Sequence, residues 1–254
     1  LIGGLAGDAI TTGGQNVAVG KAALGANTTA SDNTAVGSNA LTTNTTGNFN
    51  VAMGTSALNN NTTGANNTAV GQASLHNNTT ASNNTSVGKS ALTANTTGTH
   101  NVAVGALALD ANTTANGNIA VGVNALGLNT TGASNIGIGH EALGANTTAN
   151  ANSAIGYGSL DANTTGANNT ALGYLSLSSN TTATYNTAVG SLAMQLTTTG
   201  ISNTGVGGQA LQNNTTGSNN VAVGVNALDE NTTADNNTAL GHRALKLNTT
   251  GASN

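Results

Sequence analysis

The chain has 254 residues with 35 Gly, no Pro, no Cys and no Trp; 5% of it is charged and 2% aromatic. A globular domain is about one-quarter charged and fills its core with large side chains, so a compact enzyme is a poor fit; disordered chains are rich in charge and proline, and collagen needs much proline with Gly at every third residue. The missing cysteines remove disulfides, thiolate zinc sites and cysteine nucleophiles, a net charge of −4 offers no footprint for nucleic acid, and no apolar run approaches the roughly 18–20 residues of a membrane span.

The chain is a repeat. The glycine that closes an Ala-Val-Gly motif falls at 20, 37, 54, 71 and onward to 241 in steps of 17 without insertion, and an Asn opens the motif from Asn16 to Asn254. The unit is N-[TV]-A-V-G-x-x-A-L-x-x-N-T-T-[GA]-x-x, too short for a helical hairpin and rich in β-branched residues, Gly and Asn. This predicts an all-β parallel β-solenoid, one coil per unit and about 15 coils, stacked at about 4.8 Å into a rod about 70 Å long. Residues 1–254 read as one continuous array without polar caps, hence as a segment of a longer protein.

Within a coil numbered from its opening Asn, positions 1–5 (N-T-A-V-G) predict a short strand, and the segment around Ala-Leu at positions 8 and 9 a second. N-T-T-G and N-T-T-A predict corners, where Asn and Gly tolerate left-handed backbone. Position 4 is aliphatic in every full coil, and position 9 is Leu apart from Met194. Val19, Val36, Val70, Val104 and Val121, with Leu24, Leu41, Leu58, Leu92 and Leu126, are therefore the expected core ladder. Each buried Val or Leu contributes about 1.5–3 kcal/mol. Asn27, Asn44, Asn61, Asn95, Asn129 and Asn163 form the expected turn ladder, bonding up and down the array. All charges fall in variable positions, chiefly 6, 7 and 10, which are expected to face solvent.

Position 3 holds only Ala, Ser or Gly. Strand alternation sets it opposite position 4, so Ala18, Ala35, Ala52, Ala69, Ala103, Ala120, Ala154, Ala188 and Ala222 are candidates for a chain-to-chain interface that admits only small side chains. The other placement is inside a narrow roll, since a strand face shifts with one residue of register.

Little else suggests chemistry. His76, His100, His140 and His242 are dispersed, and Asp110 and Asp161 share position 10 three coils apart. His140 and Glu141, taken as strand neighbours, should point to opposite faces. Gly137-Ile138-Gly139 and Gly205-Val206-Gly207-Gly208 are repeat glycines with no helix after them to hold a phosphate. Tyr157 and Tyr174, one coil apart at position 6, predict a small exposed aromatic patch. N-T-T is formally a glycosylation acceptor. No catalytic residue, cofactor or metal site is expected.

The N-V-A-V-G runs at 16–20 and 101–105 and the N-T-A-V-G runs at 33–37 and 186–190 resemble the S-V-A-I-G repeats in the heads of trimeric autotransporter adhesins and related bacteriophage tail fibres. The resemblance spans nearly the whole chain, although the unit here is longer than the usual head repeat and no stalk heptads or membrane barrel accompany it. It implies a left-handed β-roll, a homotrimer, and display on a cell or virion surface, with any host ligand outside this segment. The expected function is a structural rod of an extracellular fibre or adhesin that associates with itself. The alternative is an ice-binding β-solenoid using its Thr and Asn ladders. A β-helix enzyme would need charged groups gathered in one groove.

Overall fold

In the computed structural model, which describes residues 2–254, every full coil from Asn16 onward carries one strand of three residues and runs the rest of its length through turns. The chain divides into two compact units, Leu1–Thr131 and Gly132–Asn254. The first contains β1 Val17–Val19, β2 Thr34–Val36, β3 Val51–Met53, β4 Thr68–Val70, β5 Thr85–Val87, β6 Val102–Val104 and β7 Ile119–Val121. The second contains β8 Ile136–Ile138, β9 Ser153–Ile155, β10 Thr170–Leu172, β11 Thr187–Val189, β12 Thr204–Val206, β13 Val221–Val223 and β14 Thr238–Leu240. Within each unit consecutive strands pair in parallel and in register with the repeat, Ala18 against Ala35 and Ala171 against Ala188. The chain is thus a parallel β-solenoid with a 17-residue coil.

The strand forms where β-branched side chains at positions 2 and 4 favour extended backbone. It stops at the glycine of position 5, whose φ lies at +130° in Gly71 and +140° in Gly88. Most backbone groups bond to an adjacent coil rather than to their own. Val17 N–H donates to the Asn33 carbonyl at 2.9 Å, Gly37 N–H to Val19 at 2.7 Å, and Thr45 N–H to Thr62 at 2.9 Å.

The Ala-Leu segment is not a second strand. Positions 7 and 9 both take left-handed backbone, at +54° in Ala22 and Leu24 and at +54° and +50° in Ser90 and Leu92. Such a conformation costs a non-glycine residue roughly 1–2 kcal/mol. Coil-to-coil bonds such as Leu24 N–H to the Ala40 carbonyl, 3.0 Å, hold it in place.

The two faces of the strand are reversed relative to the sequence expectation. Ala18, Ala35, Ala52, Ala69, Ala103, Ala120, Ala154, Ala188 and Ala222 are 0% exposed within the single chain, so they line the coil interior and cannot meet a second chain. Val19, Val36, Val70, Val104 and Val121 stand half-exposed on the outer face. The roll is too narrow for aliphatic side chains on both walls. The position 9 residues Leu24, Leu41, Leu58, Leu92 and Leu126 are fully buried, and only an alanine-sized group fits opposite them. Where the longer Met194 replaces Leu, the facing residue is Gly205, and a Cβ there would lie 2.9 Å from the Met194 Cγ.

Polar residues enter this interior only with partners. Ser74 and Ser86 replace alanines at positions 8 and 3; the Ser74 hydroxyl donates to the Ser86 hydroxyl at 2.7 Å, and Ser86 donates to the Ala91 carbonyl at 2.8 Å. Two asparagine ladders flank the corner. Asn44 and Asn33 each donate at 2.9 Å to the Gly47 carbonyl, from positions 12 and 1 of one coil. Where consecutive coils both carry Asn at position 12, the amide also donates one coil back, Asn44 to Asn27 at 3.1 Å and Asn61 to Asn44 at 2.8 Å. The position 1 carbonyls accept from the next backbone, as in Asn67 N–H to Asn50 Oδ1, 3.0 Å.

Candidate functional site

The turn-ladder residues Asn27, Asn44, Asn61, Asn95, Asn129 and Asn163 are 0% exposed. The Asn95 amide is held at 3.0 Å from Asn78 Oδ1 and 2.9 Å from the Gly98 carbonyl. A buried amide nitrogen with both protons engaged cannot accept a sugar in the folded chain, so the N-T-T motif is a corner motif here. The threonines that follow separate into two ranks. Those at position 13 turn their hydroxyls onto the next coil, Thr45 to the Thr62 carbonyl and Thr62 to the Thr79 carbonyl, each at 3.0 Å. Those at position 14, among them Thr46, Thr63, Thr80 and Thr97, are the exposed rank.

The most concentrated set of reactive side chains lies in the second unit. The rings of His140 and Tyr157 stack with centroids 5.3 Å apart and planes 8° from parallel, and Tyr157 and Tyr174 follow at 5.7 Å and 20°. The patch expected at Tyr157 and Tyr174 therefore has a third member. Stacking along the coil axis uses the ring faces on each other and turns the edges to solvent, so the array is not an open platform for a flat ligand. Glu141 contradicts its strand reading: its φ of +57° swings the carboxylate to within 3.5 Å of His140 Nδ1.

Position 10 has a chemistry of its own, which the spacing of 20 residues conceals. In several coils of the first unit its side chain reaches back to the position 7 carbonyl of the coil before. Thr42 donates to Ala22 at 3.1 Å, Asn59 to Asn39 at 2.9 Å and Thr93 to Ala73 at 3.0 Å; His76 Nδ1 lies 3.1 Å from the Ser56 carbonyl. Asp110 and Asp161 occupy the same position with acceptor-only carboxylates. Burial raises the pKa of both above the usual carboxylate value. At Asp161 the Glu141 charge adds to this and His140 subtracts from it.

A raised folded pKa means that the fold binds more protons than the unfolded chain between about pH 3.8 and that pKa. Stability is therefore expected to rise as pH falls through this window, and to be lost again as pH climbs back. Asp161→Asn, which supplies the missing donor as Asn59 does, is expected to add about 0.5–1.5 kcal/mol at pH 7. It should also flatten the pH dependence of the melting temperature. Equal melting temperatures of the two proteins at pH 7 would refute the donor assignment.

Among the described residues no group of three His, Cys, Asp or Glu is gathered that could hold a metal ion, and no helix is long and apolar enough to cross a membrane. No protein-family profile, curated protein or solved structure matches the chain.

The feature that stands out on the surface is instead the outer face of the strands. Positions 2 and 4 carry Thr, Val, Ile, Ser, Leu and Met, with no charge in any strand of either unit. Met53 and Leu172 are 44% exposed and Ile155 is 40% exposed. The sequence carries this signal as the aliphatic position 4 column, which hydrophobicity alone places in the core.

Proposed function

We propose that the chain is a non-enzymatic structural segment of an extracellular fibre or adhesin, associating with copies of itself and supplying length and stiffness on a cell or virion surface. The observation that carries this reading is the completeness of the coil-to-coil lattice. In each unit the backbone, the Asn side chains and one rank of Thr hydroxyls all bond to the neighbouring coil. Such a stack couples every coil to its neighbours and leaves few loops to open, as suits a load-bearing element. The S-V-A-I-G-like motif, which resembles adhesin heads and tail fibres, points the same way, and so does the scatter of charged groups along the surface. The ice-binding alternative draws on paired threonines, but one rank is turned onto backbone carbonyls and a single rank gives no flat two-column hydroxyl face.

The test is location. Immunogold electron microscopy of the source cells or particles with antibody raised against this chain is expected to label surface fibres. Label confined to the cell interior would refute the reading.

A further inference from the structure

We infer that Asn116 is a self-modification site: its side-chain amide is lost through ring closure with Gly117, and the coil lattice accepts one product and rejects the other. The inference is independent of the fibre reading. Asn116-Gly117 is the only Asn-Gly step in the sequence. Every buried asparagine among the described residues instead precedes a residue with a Cβ, mostly the β-branched Thr, Val or Ile, which crowds the approach of the following backbone nitrogen to the amide carbon. The buried amides are also held by their protons. Asn101 Nδ2 donates to the Ala115 carbonyl at 2.8 Å, and Asn112 Nδ2 donates to Asn95 Oδ1 at 3.0 Å and to the Ala115 carbonyl at 3.2 Å. Asn116 is exposed, and its side-chain bonds use Oδ1 alone, which accepts from the Thr99 N–H at 2.7 Å and from the Thr99 hydroxyl at 3.1 Å. Its nitrogen is free to leave.

The chemistry needs only water. The Gly117 nitrogen attacks Asn116 Cγ and gives its proton to solvent; the Cγ–Nδ2 bond breaks and Nδ2 leaves as ammonia, closing a cyclic imide. Water then opens the ring. Cleavage of the bond to Cγ gives aspartate. Cleavage of the bond to the main-chain carbonyl carbon gives isoaspartate, whose main chain runs through Cβ and Cγ and is longer by an atom. Glycine lets the backbone approach closely, but the Gly117 N–H first has to leave the Thr99 carbonyl, to which it donates at 3.1 Å. The reaction therefore proceeds from a local opening of this exposed corner.

The lattice treats the products differently. Aspartate keeps the acceptor, as Asp235 shows at the same position 16 of its own coil, where it accepts from the Ser218 N–H at 2.6 Å. Isoaspartate adds a main-chain atom between two clamps. On one side the Ala115 carbonyl is held by Asn101 and Asn112, and on the other the Asn118 N–H is held by Asn101 Oδ1 at 2.9 Å. No coil of the array carries an insertion.

The experiment is peptide mapping by mass spectrometry of the chain held in mildly alkaline buffer, folded and in urea. The chain contains its own control. Asn150 has the same position and bonds, its Oδ1 accepting from the Ala133 N–H at 2.6 Å and the Ala151 N–H donating to the Ala133 carbonyl at 3.1 Å, but alanine follows it. In the folded chain Asn116 is expected to be the first asparagine converted to the acid, with Asn150 at least about tenfold slower; urea is expected to speed Asn116 at least about tenfold by freeing the Gly117 nitrogen. Gly117→Ala, in a left-handed conformation that Ala151 already adopts at +58°, is expected to fold and to slow Asn116 to the rate of Asn150. Asn116→Asp is expected to keep the urea midpoint of the parent. In an aged sample, brief proteolysis near that midpoint is expected to remove the isoaspartate chains and spare the aspartate ones. Another asparagine converted before Asn116 in the folded chain, or Asn116 intact after about one hundred half-lives of the unfolded reaction, overturns the site. So does a Gly117→Ala chain that reacts as the parent does. Equal survival of the two products, or a lowered midpoint for Asn116→Asp, overturns the sorting by the lattice.

Discussion

Gly88→Ala is expected to destabilise the chain by more than about 3 kcal/mol, read as a fall in the urea midpoint. Two causes add at this position. The φ of +140° lies in the half of conformational space that residues with a Cβ rarely adopt, which alone costs about 1–3 kcal/mol. The added Cβ would also lie 2.6 Å from the carbonyl carbon of Gly105 in the next coil. Neither group can swing aside, since both are backbone held by the strand pairing of β5 and β6. Two controls separate the causes. Gly241 has a φ of +125°, and a Cβ added there would meet nothing within 4 Å, so Gly241→Ala should show the conformational cost without the clash. Gly14, with open space and an ordinary backbone, should tolerate Ala within about 0.5 kcal/mol. If Gly88→Ala unfolds at the urea concentration of the parent, the close coil stacking at position 5 is wrong.

The period, the parallel stacking and the corner asparagines are all legible in the sequence, because each depends on identity recurring at a fixed spacing. The sidedness of the strand is not legible. Alternation says that positions 3 and 4 point opposite ways, and hydrophobicity then favours Val19 over Ala18 for the interior. What decides is space. Leu24 already fills the roll from the far wall and leaves room for Ala18 alone, a three-dimensional constraint visible in sequence only through the pairing of Met194 with Gly205, where one side grows and the other shrinks. The left-handed turn at positions 7 and 9 is hidden for a different reason. Leucine carries no preference for that backbone, and Leu24 adopts it because the lattice around it bonds its N–H and buries its side chain. Local preference is overruled here by repetition, and the consequence reaches the surface: with a turn in place of a strand, Glu141 meets His140 instead of pointing away from it.

The same logic gives the second large expectation, this time a gain. Thr197→Asn is expected to stabilise the chain by about 1–3 kcal/mol. In the position 12 ladder each side chain donates to the Oδ1 of the coil before, Asn163 to Asn146 at 2.9 Å and Asn180 to Asn163 at 2.7 Å. Thr197 stands where the next amide should be, and Asn180 Oδ1 is left buried without a hydrogen-bond partner. On the other side the Asn214 amide reaches only as far as the Thr197 hydroxyl, 3.5 Å away, against 2.7–3.2 Å for the amide-to-amide rungs. Threonine keeps the corner backbone but is too short to span both gaps. An asparagine would supply the missing donor to Asn180, an acceptor nearer to Asn214 and a second proton for the Gly200 carbonyl, as Asn163 supplies one to Gly166 at 2.9 Å. A higher urea midpoint with an unchanged slope is the expected result. An unchanged midpoint would mean that the orphaned oxygen carries no cost, and that the asparagine ladder contributes corner geometry rather than hydrogen-bond energy. In that case Asn95→Thr, which makes the same break in an intact stretch of the ladder, should be equally silent. If the ladder contributes hydrogen-bond energy, it should instead lose about what Thr197→Asn gains.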